Sequence, residues 1–160
     1  MAHREELYLV WLFLAGLPLI YVLDFVFKCL FGTRRRRKYR RVRRKGISAL
    51  KSMSWQDFEH YCAEYFLEQG YKVKMMGLGG ADGGMDLLLK KGGKTTLVQC
   101  KHWKSKVGVM TVREMYGVMY AHQFDAVAIV ALTGFTKDAR SWVGNKPIKL
   151  IAGQDIVDKR

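Results

Sequence analysis

Proline is scarce in this chain, with two among 160 residues, and cysteine nearly as scarce, with three. The first shortage excludes a proline-rich, extended linker protein. The three cysteines (Cys29, Cys62 and Cys100) form no C-x-x-C pair, which excludes a disulfide-framed miniprotein and a cysteine-rich zinc module. Acidic residues are also few: 14 Asp and Glu stand against 28 Lys and Arg, for a net charge of +14. Hydrophobic residues nevertheless make up 49%, so the chain can bury a core and is not disordered overall. Its length suits one modest domain with an appendage rather than two full domains.

Two local absences divide the chain. From Leu7 to Leu23 there is no charge at all, and the apolar run continues to Phe31 with only Asp24 and Lys28 interrupting it. A run of about 20 apolar residues is long enough for a bilayer core. Lys28 would snorkel toward the headgroups, with Asp24 one turn before it. Neither the acidic start, Glu5 and Glu6, nor the lack of an A-x-A site suits a cleaved signal peptide. Residues 1–33 are therefore expected to form a single transmembrane anchor.

Residues 34–45, RRRRKYRRVRRK, hold ten basic residues and no acid. Basic residues beside a span stay on the cytoplasmic side. The expectation is an inner-membrane protein with its N-terminus outside and its main domain in the cytoplasm. The Arg34–Lys45 stretch would serve as a polybasic juxtamembrane linker that binds anionic lipid. Contact with nucleic-acid phosphates remains open for it as well.

Residues 46–160 carry 16 basic and 11 acidic residues and read as the folded domain. Ser54 suits an N-cap, and WQDFEHYCAEYFLEQ follows with helical spacing up to Gly70. Tyr71–Met75 alternates like a strand. MGLGGADGG is a glycine-rich loop. Asp86–Lys90 and Thr95–Lys101 read as two strands of a hairpin around Lys91-Gly92-Gly93-Lys94. A helix over Thr111–Gln123, an apolar strand over Ala126–Leu132, a helix over Phe135–Val143, a strand over Ile148–Ile151 and a final turn complete the order. This α-β-β-β-α-β-α-β succession predicts an α/β fold, a mixed central sheet flanked by helices.

Chemistry concentrates at two strand ends. Asp86 opens one strand, and Gln99 and Lys101 share a face at the end of the next, while Cys100 and His102 point the other way. A carboxylate, a neutral carbonyl ligand and an ammonium group brought together by a hairpin suit Mg²⁺-assisted hydrolysis of a phosphodiester. On the first helix, Trp55, Phe58, Cys62, Tyr65 and Phe66 cluster on one face and Glu59 lies at its edge, with Asp57, Glu64 and Glu68 opposite. An inward Glu59 needs a partner. A metal beside Asp86 would supply it, and so would a core cation or a backbone amide. The glycine-rich loop lacks the G-x-x-x-x-G-K-[ST] of a P-loop and precedes a strand rather than a helix. By itself, D-x12-Q-x-K is a weak motif.

The pieces WQDFEHYCAEYFLEQGYKV, GGADGGMDLLL, LVQCKHWK, VGVMTVREMYGVMYAHQFDAVAIVALTGFTKDAR and IKLIAGQDI, in that order, resemble the catalytic domain of the Mrr-like, type IV restriction endonucleases. That family belongs to the nucleases with a (P)D…(D/E)-x-K motif. The resemblance spans about Ser54 to Asp158. It implies a restriction-endonuclease-like mixed sheet and Mg²⁺- or Mn²⁺-dependent cleavage of DNA, often modified DNA. It makes Asp86 a metal-binding aspartate, Gln99 the residue in the Asp/Glu position, Lys101 the catalytic lysine and Glu59 the helix acid that joins the site. Asp82 matches a recurrent acid of less defined role. With Gln99 neutral, the site holds one fewer negative charge than the wider group's.

Around this site, Lys104 and Lys106 are candidate phosphate contacts, as are Arg113 and the helix cap Thr136. Each also has a plain surface or capping role. Trp103 suits packing on the sheet edge. The expected partners are DNA, a homodimeric copy where both strands are cut, and a separate recognition protein, because no recognition domain is evident. The competing expectation is a noncatalytic module that tethers DNA or protein.

Overall fold

The structure, a computed structural model, describes residues 21, 22, 34, 36–76 and 84–158. The chain divides into two compact units, Met1–Lys38 and Tyr39–Arg160. Of the first, residues 21, 22, 34 and 36–38 are described, and these are helical and exposed. The expected transmembrane helix and inner-membrane location must be corrected. Among the described residues, no helix is long and apolar enough to cross a membrane. The apolar run on which that expectation rested, Leu7–Phe31, lies outside the described residues except for Tyr21 and Val22.

The second unit opens with helical residues 39–45. It continues through α1 (Ile47–Lys51), α2 (Trp55–Glu68), β1 (Lys72–Met75), β2 (Leu87–Lys91), β3 (Lys94–Lys101), α3 (Val109–Ala121), β4 (Ala126–Ala131), α4 (Lys137–Val143), β5 (Ile148–Ala152) and α5 (Gly153–Val157). The five strands form one sheet in sequence order. β1, β2 and β3 are antiparallel neighbours, and β3, β4 and β5 are parallel. The sheet is mixed, as the succession of elements predicts.

The connections dictate the layers. Right-handed crossovers in a sheet that grows in one direction put their helices on one face. Accordingly, Val112, Met115 and Met119 of α3 and Ala139 of α4 share a core with Leu97, Val127, Ile129 and Ala131. On the opposite face, Phe58, Cys62 and Phe66 of α2 pack with Leu87, Leu89, Val98, Ala128 and Val130. Strand alternation separates the two sets: Leu97 joins one core and Val98 the other.

α2 is more deeply enclosed than its single apolar stripe predicts. Ser54 caps it by accepting the Asp57 N–H at 3.1 Å. Phe58, Cys62 and Phe66 are buried, but so are Tyr61, Ala63 and Glu64, while Trp55 is 45% exposed. The cover for the second side comes from the basic stretch. Tyr39 is buried with its ring centroid 4.6 Å from that of Tyr61, Val42 packs on the same core, and Arg43 pairs with Glu68 at 3.0 Å. Part of the arginine-rich segment is thus a wall of the folded unit, with its cations turned outward around one buried aromatic.

Candidate functional site

The pairing of β3 changes partway along its length. β2 pairs with it only as far as Leu87 opposite Val98, where the Asp86 N–H donates to the Val98 carbonyl at 3.0 Å. β4 follows β3 to its end, with Lys101 opposite Ala131. Beyond Val98, β3 therefore has one flank without a strand, and its next inward amide on that side, Cys100 N–H, needs an acceptor. The Asp86 carboxylate supplies one, with Oδ2 2.6 Å from the Cys100 nitrogen. A single residue at the end of β2 thus closes the ladder with a side chain, which leaves the carboxylate facing the gap where the strands part.

Groups from both faces of the sheet meet at this carboxylate. Alternation places Gln99 and Lys101 with Leu97 on the α3 side, whereas Glu59 comes from α2 on the other. Burial pushes the Asp86 carboxyl above the usual range, opposed by the Cys100 N–H and by the charge of Lys101. Glu59 is 8% exposed, and burial, reinforced by the charge of Asp86, raises its pKa to about 7. Gln99 is 3% exposed, and its Oε1 has no hydrogen-bond partner among the described residues. A buried carbonyl oxygen left in this state is costly unless something electropositive meets it.

Gly84 sets the position of Gln99. Its φ of 77° is in the region that favours glycine, and a methyl group there would collide with Gln99 Nε2. Two residues before Asp86, this glycine lets the loop backbone lie directly against the amide. The GGMD spacing is the sequence signal for it, visible only as part of a generic glycine-rich loop. Asp82 lies outside the described residues.

Lys101 is half-buried, with Nζ 4.8 Å from the centre of the Trp103 ring. Trp103 therefore does more than cover the sheet edge: its ring steers the lysine at the end of β3. Cys100, between Gln99 and Lys101, packs on the α2 core beside Cys62, and a thiol–thiol hydrogen bond together with burial raises its pKa well above the ordinary value. Cys100 is therefore not poised for nucleophilic chemistry. His102 turns away from Lys101: its Nε2 is 2.8 Å from the Leu50 carbonyl and its ring lies against Phe58.

The candidate phosphate contacts are dispersed. Lys104 and Lys106 are exposed on the segment after β3. Arg113 lies on α3 with its guanidinium 5.6 Å from the centre of the Trp142 ring. The Thr136 hydroxyl accepts the Ala139 N–H at 3.2 Å, a local cap on a helix of seven residues. The structure thus gathers Glu59, Asp86, Gln99 and Lys101 around one gap and leaves Arg113 and Thr136 on their own helices.

Comparison with known proteins gives a consistent setting. Among curated proteins there is no match. A solved protein of unknown function, AF1548, shares the fold at a TM-score of 0.51 and 21% identity, over 59% of this chain and 55% of that one. The MspJI restriction endonuclease, solved in complex with a 27-mer oligonucleotide, aligns at a TM-score of 0.44 and 23% identity. That alignment covers 60% of this chain and 24% of the MspJI chain. The chain therefore spans little more than half of one solved relative and about a quarter of the other. The restriction endonuclease catalytic family model, Mrr_cat, matches residues 50–159, which include every element from β1 to β5 and all four residues around the gap. On that match, the chain belongs to the Mrr-type restriction endonuclease catalytic family.

Proposed function

We propose that this chain hydrolyses DNA phosphodiester bonds with a divalent metal, Mg²⁺ or Mn²⁺, at the open end of β3. The observation that carries the reading is the grouping of buried Glu59 and half-buried Asp86 with the unpartnered Oε1 of buried Gln99. Two carboxylates whose proton affinity burial raises, Glu59 further by the charge of Asp86, and a carbonyl oxygen without a donor form an all-oxygen set, which suits a hard cation. Among the described residues, no group of three His, Cys, Asp or Glu could hold a metal. Gln99 Oε1 is a neutral oxygen at hand to add to the two carboxylates.

In this reading, Asp86, Glu59 and Gln99 hold the metal. A metal held there would supply polarisation of the scissile phosphate and stabilisation of its developing charge. The Asp86 carboxylate keeps the hydrogen bond it accepts from the Cys100 N–H, so its orientation is fixed by the sheet itself. Lys101 donates hydrogen bonds to the attacking water and to phosphate oxygen, and Trp103 limits where its ammonium group can go. Lys104 and Lys106 contribute phosphate contacts on the strand-end side. Foreign or modified DNA is the proposed substrate class. Cutting both strands calls for two copies of the site, and selection of the target falls to a separate recognition protein.

The neutral Gln99 favours one alternative, a DNA-holding module that does not cut. Plasmid with and without modified bases, incubated with Mg²⁺, Mn²⁺ or EDTA, separates the two. Metal-dependent cutting that is lost in Asp86→Ala supports the nuclease. Metal-independent binding with no cutting by the parent protein overturns it in favour of the alternative.

A further inference from the structure

Immediately beyond Lys101, three separate segments converge on a cavity of about 320 Å³ lined by Lys51, His102, Lys104, Leu132 and Thr133. Lys51 is the last residue of α1, His102 and Lys104 follow β3, and Leu132 and Thr133 follow β4. Among the described residues, no carboxylate lines it, and neither Lys51 nor Lys104 makes an ion pair. Other basic side chains of the unit are already engaged. Lys91 bonds the Gln69 carbonyl, Lys146 the Trp142 carbonyl, Arg43 pairs with Glu68, and Lys101 lies over Trp103.

The cavity walls are held by specific bonds. His102 Nε2 lies 2.8 Å from the Leu50 carbonyl, so that nitrogen carries a proton and ties α1 to the end of β3. Thr133 Oγ1 lies 2.5 Å from the Ser105 carbonyl and 3.2 Å from that of Trp103, which fastens the Lys104 segment to the end of β4. The Thr133 hydroxyl proton is therefore used within the protein. The cationic residues that line the cavity are then Lys51 and Lys104, on two anchored segments.

We propose that Lys51 and Lys104 form a second phosphate subsite, which grips a backbone phosphate of the nucleic-acid strand next to the one at Lys101. This deepens the nuclease reading and rests on its nucleic-acid substrate. His102 and Thr133 are positioning residues that fix the two lysine-bearing segments. The subsite lies on the α2 side of β3, opposite the face of Lys101, so a strand held at both points crosses the end of the sheet instead of running along one face.

The test is binding of the full chain to a short labelled DNA duplex in EDTA over a range of salt concentrations, so that cutting does not enter. Each lost phosphate contact lowers the slope of log affinity against log salt by about 0.9. Lys51→Ala and Lys104→Ala should each lower it by about that amount, the double variant by about twice as much, and Lys51→Arg should restore it. Lys149→Ala, an exposed lysine on β5, is the control and should leave the slope unchanged. Inorganic phosphate at constant ionic strength should compete with the parent and not with the double variant if the site takes phosphate specifically. Slopes equal to the parent's in both single variants overturn the subsite, even in a protein that cuts DNA with metal. A parent that cuts no DNA but shows the lysine-dependent slope keeps the subsite and removes the nuclease. A parent that does not bind the duplex removes both.

Discussion

The two halves of β3 share a backbone and differ in what flanks it. From Thr96 to Val98 the strand is paired on both sides, with β2 and β4, and Leu97 and Val98 are fully buried in opposite cores. From Gln99 to Lys101 it is paired on one side only, and there polar groups replace apolar ones. The difference shows how a sheet makes a site. Where the ladder is complete, backbone hydrogen bonds and apolar burial leave nothing over. Where one partner strand departs, an amide and two side chains become available, and the departing strand leaves a carboxylate among them.

Side chains in the open half should therefore govern chemistry, and those in the closed half stability. The largest contrast is expected from Asp86→Ala and Lys101→Ala, which should reduce metal-dependent DNA cutting by about 10²–10⁴-fold. Thermal unfolding would check that the fold survives. Loss of cutting only in step with loss of fold would break the contrast. In the closed half, Leu97→Ala should cost about 2–5 kcal/mol in a denaturant titration, because a fully buried side chain is removed between β3 and α3. The activity of the fraction that remains folded should hold.

Gly84→Ala tests whether the open half depends on a close backbone approach. The added methyl displaces Gln99 at a position with φ of 77°, so metal affinity should drop by about 10–100-fold. Isothermal titration with Mn²⁺ reads this directly, and unchanged affinity would detach Gln99 from the site.

The smallest effect concerns pH. Glu59 titrates at about 7 in the fold against an ordinary value of 4.5, so the folded state favours its neutral form. That stability is complete below the ordinary value and is lost as pH rises through about 7. In EDTA, the melting temperature of the parent should therefore fall relative to Glu59→Gln as pH is raised from about 5 to about 8. Metal binding draws on the ionised form, so affinity should rise through the same range and be flatter in the variant. Parallel melting curves for the two proteins would remove Glu59 from the buried grouping.

Much of this was legible along the chain. Hydrophobic period and turn residues located every strand to within a residue or two, because alternation and punctuation by Gly, Asn and Asp are local properties. Asp86, Gln99 and Lys101 stood out because strand alternation puts the last two on one face and a short hairpin brings the first beside them. Less legible was the enclosure of α2. Glu64 reads as solvent-facing yet is buried in the fold, and a run of cations gives little hint that one tyrosine within it, Tyr39, is buried against Tyr61. The membrane reading, which rested on the apolarity of Leu7–Phe31, is corrected by the described helices, none of which is long and apolar enough to cross a membrane.

The sequence by itself determined the mixed sheet, the order of its elements and the residue types at the strand ends, since each follows from patterns within ten or so neighbours. Tertiary structure alone decided that Glu59 crosses from the far face to share a charge environment with Asp86. It also decided that Gln99 is buried with an unmet oxygen, and that Lys51 and Lys104, 53 positions apart, line one cavity. The physical reason is the early departure of β2 from β3. It opens a gap through which both faces communicate, and its place is set by the packing of the whole sheet.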